Sequence, residues 1–304
     1  HHDRSYAFVV TNALTDATGL PVSASESFAT LAAGGTPVGE RGAAAATTHA
    51  DLWPALDLAG VDRNAVVSAS VFTTGDPVAE LSALGDAVRA EYDLTIDDLA
   101  VDPDDGAEHP RFCELHGTIA FPQFQVGEPP FSTDGLFEFD ADGLPIEQRT
   151  EVAPLVIALP NGEMPAGGYP LVMYFHGSGG LAAQVIDRGT AATANSAPKK
   201  GEGPAHVLAE LGIASVGSAH PLNPERLPGA SEIEYLNINN LKAFRDTFRQ
   251  GVLEQRMYLD ALLELEIDPA TVAACSGLSL PAGETSYRFR AEPIMAMGQS
   301  MGGM

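Results

Sequence analysis

Pro293-Ile294-Met295-Ala296-Met297-Gly298-Gln299-Ser300-Met301-Gly302-Gly303 is the stretch on which the reading of the whole chain turns. Its first five residues are apolar and short-run, which predicts a buried strand. The strand runs directly into Gly298-Gln-Ser-Met-Gly302, a match to G-x-S-x-G. In that motif a serine occupies a sharp, strained strand-to-helix turn. Residues two before and two after it must be small, because side chains there collide with the neighbouring strand and helix. The turn lifts the serine hydroxyl out of the sheet, so Ser300 is the candidate nucleophile. With 31 glycines in the chain the pattern alone has little weight, and the preceding strand is what gives it weight.

A second motif lies upstream. Leu171-Val-Met-Tyr-Phe175 is another short apolar run, and it exits into His176-Gly177-Ser178-Gly179-Gly180. A glycine-rich loop at a strand exit exposes backbone N–H groups with no Cβ to block an approaching oxyanion. Its counterpart is the N–H of the residue after the nucleophile, here Met301. The candidate oxyanion donors are therefore Ser178, Gly179 and Met301. His176, Gly177, Gly298 and Gly302 support the two turns, with His176 expected to shape its loop.

Outward from these motifs, residues 151–304 alternate strand and helix signals. Pro154–Leu159, Leu171–Phe175 and Ile213–Val216 read as strands, and Ala205–Leu211 as a helix. Asn239 to about Glu266 reads as a long amphipathic helix. Its apolar stripe is Leu241, Phe244, Phe248, Val252, Leu259 and Leu263, with Asp246, Glu254, Arg256 and Asp260 on the opposite face. Such alternation predicts an α/β layer. Residues 1–150 read as a smaller mixed α+β accessory region. It has strands at 6–11, 65–72, 117–122 and 135–139, a helix from Asp76-Pro77 to about Tyr92, and a loop over Ala32–Arg41. Thr190–Gly203, Pro221–Gly229 and Ala270–Glu284 are loop-like candidates for lids or cleft walls.

Composition narrows the function classes. The chain has 16 basic and 41 acidic residues, a net charge of −25, and a pI near 4.4. Such a surface repels phosphate backbones, which argues against nucleic acid as a partner. No apolar run reaches the roughly 18–20 residues needed to span a bilayer. The two cysteines, Cys113 and Cys275, show no zinc-site spacing, and both a disulfide and a pair of buried thiols fit them. Neither a metal nor a cofactor is expected.

These motifs and their order resemble the α/β-hydrolase superfamily, and within it the large bacterial lipases of the virulence-factor lipase-like type. The resemblance covers roughly 150–304. It extends more weakly to Tyr6–Thr11 and Asp16–Pro21, which look like the closing part of an Ig-like domain, and to Arg245–Gln250. It implies an α/β-hydrolase fold and cleavage of a small-molecule or lipid carboxylic ester through a Ser–His–Asp/Glu triad and an acyl-enzyme. A secreted or cell-envelope location also rests on this resemblance and on the acidity. Gln299 departs from the histidine that many relatives carry. In the superfamily the acid and histidine follow the serine, and only Met301–Met304 follow Ser300 here. The expectation is that these residues are one segment of a longer protein, whose remaining part, as the same or a separate chain, supplies both groups. An amidase or peptidase on the same fold, and a binding or adhesion module without chemistry, are the competing readings.

Overall fold

A computed structural model of the chain describes residues 1–193 and 196–304. The helices and strands run in the order β1 (Ser5–Thr11), α1 (Glu26–Ala32), α2 (Gly42–His49), α3 (Leu52–Leu58), β2 (Val66–Thr73), α4 (Pro77–Glu91), β3 (Ile96–Val101), β4 (Phe112–Gln123), β5 (Arg149–Pro160), β6 (Gly162–Glu163), β7 (Tyr169–Phe175), α5 (Gln184–Asp187), α6 (Pro204–Glu210), β8 (Ala214–Ser218), α7 (Leu241–Glu264), β9 (Leu278–Ser279) and β10 (Phe289–Gly298). Two compact units result, His1–Leu81 and Ser82–Met304. The division falls earlier than the expected boundary near 150, because β3 and β4 hydrogen-bond into the same sheet as β5.

In the first unit β1 and β2 pair antiparallel, with Ser5 opposite Thr73. Their cover is helical. Phe28 and Leu31 of α1, Leu52, Trp53 and Leu56 of α3, and Val66 form one buried cluster. Ser25 starts α1, its Oγ accepting the Phe28 N–H at 3.2 Å. Among the described residues of this unit the ribbon has helices over it.

The second unit is mixed α/β around a six-stranded sheet in the order β10-β7-β8-β5-β4-β3. β3, β4, β5 and β8 join antiparallel, while β8, β7 and β10 run parallel. Helices cover both faces. On one, Leu155, Ile157, Leu171, Met173 and Val216 pack with Leu253, Met257, Tyr258 and Leu262 of α7. On the other, Val156, Ala158 and Tyr174 pack with Val185 and Ile186 of α5 and Ala205 and Ala209 of α6. Each large aliphatic side chain buried this way contributes about 1.5–3 kcal/mol relative to exposure. β7 and β8 are buried almost throughout, as their continuous apolar runs require.

Two local expectations change, and one open alternative is decided. The Pro293–Met297 strand forms, but β10 is an edge strand with mostly exposed or half-buried residues. Residues 135–139 make isolated bridges rather than a sheet strand, since the Phe137 N–H goes to Asp246 Oδ2 of α7 at 3.0 Å. Cys113 and Cys275 are joined in a disulfide, tying β4 to the segment before β9. No described helix is long and apolar enough to cross a membrane.

Candidate active site

Parallel pairing sets the site. In the β7–β10 register Phe175 stands opposite Gly298, and in the β7–β8 register Tyr174 stands opposite Gly217. The loops that leave these strands therefore start level with one another, at the carboxyl edge where open α/β sheets hold ligands.

The serine turn is the tightest of the three. Ser300 is exposed and adopts φ +53°, a left-handed conformation that costs a non-glycine residue energy and that clusters at functional turns. A 3-10 turn, Ser300–Gly303, follows it directly. Backbone fills the space beside both motif glycines. A Cβ on Gly298 would lie 2.2 Å from the Gly302 carbonyl oxygen, and one on Gly302 would lie 2.0 Å from the Phe175 carbonyl oxygen. The Gln299 N–H donates to Phe175 O at 3.1 Å, pinning the turn to the end of β7.

The glycine-rich loop meets this turn face on. Gly177 fits closely against the turn, because a Cβ would sit 2.9 Å from the Gln299 backbone oxygen and 2.3 Å from Gln299 Oε1. That oxygen accepts from Arg188 Nη1 at 3.1 Å, so glutamine at this position links the nucleophile turn to the segment after α5. Gly179 adopts φ +65°. Ser178, Gly179 and Met301 border one small cleft together with His176, Gly177 and His220. Among the described residues, the backbone N–H groups of Ser178, Gly179 and Met301 donate to no other group of the chain.

Both histidines at the cleft are engaged in structure. His176 is buried, with Nδ1 2.9 Å from Gly177 O and Nε2 accepting the His220 N–H at 3.2 Å. Those two bonds select the tautomer with the proton on Nδ1 and leave neither nitrogen for Ser300. The two rings stand 4.2 Å apart. Burial pushes the His176 pKa down. Burial pushes that of His220 well down, helped by the His176 ring and the Arg226 charge beside it. His220 Nε2 is buried and has no partner in the described chain. Among the described residues no histidine hydrogen-bonds to Ser300.

Several neighbours of the cleft carry no signal in sequence. Tyr235 OH meets Ser178 Oγ at 2.6 Å. Asn223 Nδ2 donates to Gly180 O at 2.6 Å, and Glu225 Oε2 accepts the Ala182 N–H at 2.7 Å. All three come from the stretch after β8, so the expected cleft wall at Pro221–Gly229 does border the cleft, through Pro221–Pro224. Of the two other candidates, Thr190–Gly203 has residues 194 and 195 outside the described residues, and neither the rest of it nor Ala270–Glu284 lines the cleft.

Beside the cleft a second, apolar groove of about 440 Å³ opens between α7 and β10. Phe248, Val252 and Leu259 form one wall, Ile294, Met295 and Ala296 the other, and Met301 and Met304 lie across its end.

No family model matches the chain, and no curated protein matches it. Among solved structures, a protein of Bacteroides fragilis NCTC 9343 described as a candidate acetyl xylan esterase is similar at a TM-score of 0.36 and 12% identity, over 74% of this chain and 49% of that one. The chain thus spans about half the length of that structure, and a likeness this distant lends no weight to either fold or activity.

Proposed function

We propose that this chain is the nucleophile-bearing part of a serine hydrolase of the α/β-hydrolase fold that cleaves carboxylic esters, as an esterase or lipase. The observation that carries the reading is the Ser300 turn. A non-glycine residue is held at φ +53° between two glycines whose Cβ positions are filled by backbone. That conformation is costly and serves to present a hydroxyl.

The proposed chemistry is acyl transfer. Ser300 Oγ attacks the ester carbonyl carbon as a base removes its proton, and the oxyanion is stabilised by the N–H groups of Met301 and of Ser178 or Gly179. The alcohol leaves with a proton from the same base, and water then releases the acid from the acyl-enzyme. His176 and Gly177 hold the donor loop in place. The base and its carboxylate come, in this proposal, from polypeptide other than these 304 residues. The two cleft histidines support that division, since His176 has both nitrogens occupied and no described histidine reaches Ser300. The apolar groove and the unpaired edge of β10 are the seats offered to that polypeptide. The Cys113–Cys275 disulfide supports a secreted or cell-envelope location.

A fluorophosphonate probe tests the assignment. It is expected to label Ser300 in the enzyme assembled with its base, and Ser300→Ala is expected to lose both labelling and ester turnover with little change in thermal stability. An intact protein that takes no label would instead be a binding module. The 304-residue chain alone is expected to leave p-nitrophenyl butyrate unhydrolysed, and full turnover by it would place the base within this chain.

A further inference from the structure

Asp102-Pro-Asp-Asp-Gly106 turns the chain after β3, and two histidines, His109 and His116, flank the start of β4. Glu114, on β4, is buried between them. Its Oε2 lies 2.7 Å from His109 Nε2 and its Oε1 lies 2.7 Å from His116 Nε2. Asp105 Oδ1 stands 3.7 Å from the same His109 nitrogen, and Asp102 Oδ1 stands 3.8 Å from His116 Nδ1. One ligand atom each from Asp105, His109 and Glu114 falls within a 4.8 Å circle.

The fold holds this group tightly. Gly106 lets the acidic turn close on β4, since a Cβ there would sit 2.7 Å from Asp102 N and 2.8 Å from Glu114 O. The Gly106 carbonyl accepts the Glu114 N–H at 2.9 Å. The His109 ring stacks on Phe112 at 4.3 Å, and Gly201 leaves room for its other edge.

The group is strongly acidic. Among the described residues, Asp102, Asp105 and Glu114 pair only with these two histidines. Asp187 adds a fourth negative charge near both rings. The imidazoles are the only partners of the Glu114 carboxylate among the described residues, and a metal ion would take the place of the proton shared by His109 and Glu114.

We propose that Asp105, His109 and Glu114 bind one divalent transition-metal ion of the zinc class, with His116 steadying the second oxygen of Glu114. Bonds of about 2.0–2.2 Å in a tetrahedron set neighbouring ligand atoms about 3.3–3.6 Å apart. The Asp105–His109 separation of 3.7 Å closes by about 0.1–0.4 Å to reach this, and the His109–Glu114 pair opens by less than about 1 Å. A mixed imidazole and carboxylate set favours such an ion over calcium or magnesium, which take all-oxygen shells. Asp105 is nearly half exposed, so a water can fill the fourth position. Cysteine spacing, the signal sought in sequence, is silent on a site of this composition.

Isothermal titration of the metal-stripped protein with zinc chloride near neutral pH decides the matter. The expected result is one equivalent bound, weakened at least tenfold in Asp105→Asn and in His109→Gln, with His116→Gln weakened about tenfold through the loosened carboxylate. Zinc is also expected to raise the thermal midpoint of the native protein and not that of Asp105→Asn, whose exposed position keeps the variant folded. Failure to bind, or binding that survives both the Asp105 and the His109 substitutions, overturns the proposal. The second outcome would assign the ion to surface groups such as His1 and His2.

Discussion

His220 shows at a single residue how burial beside the cleft disfavours a charge. Its ring lies between His176 and Phe175, at 4.2 and 6.1 Å between centroids, with the Arg226 charge nearby. Burial, helped by His176 and Arg226, holds its pKa well below the ordinary 6.5. The unfolded chain then takes up a proton below about pH 6.5 that the folded chain refuses, so this contribution to stability is full above that pH and is lost as pH falls toward the depressed value. His220→Phe keeps the stacked ring and removes the proton site. The unfolding free energy from denaturant melts at pH 7.5 to 5.5 should fall less steeply in that variant than in the native protein, by up to about 1.4 kcal/mol per pH unit. Equal slopes would mean that His220 takes up its proton in the fold as readily as in the unfolded chain.

At the scale of elements, α7 separates what is legible from what is not. Its length and position follow from three- and four-residue apolar spacing, and the observed Leu241–Glu264 falls within the expected span. The face does not follow. Phe248, Val252 and Leu259, members of the apolar stripe, line the groove, whereas Asp246 and Glu254, read as solvent-facing, are fully buried. A hydropathy pattern ranks faces by polarity, and it cannot register that a polar face has partners distant in sequence. Here the partners are specific. Arg226 reaches Glu254 with two bonds of 2.6 and 3.0 Å and Glu151 with one of 2.9 Å, while Gln250 bridges Glu254 to the Pro122 carbonyl. On the flank of α7, Arg256 meets Asp86 and Asp260 meets Arg89 of α4. Arg226→Ala strips a buried carboxylate of its counter-charge, and denaturant unfolding should show a loss of about 3–5 kcal/mol. A loss below about 1 kcal/mol would mean that water reaches Glu254.

For the whole molecule, the strand signals of residues 150–304 and the order of the two glycine motifs were open to reading because they are local. The level starts of the three site loops come from strand register, and the helical cover of β1 and β2 comes from packing. Neither is written in any one stretch of residues. The division between the two units lies earlier than 150 for the same reason, since antiparallel pairing of β4 with β5 joins segments that a linear pattern keeps apart. The Cys113–Cys275 bond is a further long-range fact, with a sequence separation of 162. Closing so long a loop restricts the unfolded chain, and a reductant should lower stability by about 2–5 kcal/mol, read as a drop in thermal midpoint.

The same bond has a bearing on how the protein withstands damage. It encloses β5, β7, β8, α7 and the glycine-rich loop within one covalent ring. A protease that cuts once in the exposed stretch after α5 opens the ring without releasing a piece. The nicked molecule should migrate as one species on a denaturing gel without thiol and as two with it, so a severed chain keeps both of its strand-exit loops tethered to a single body.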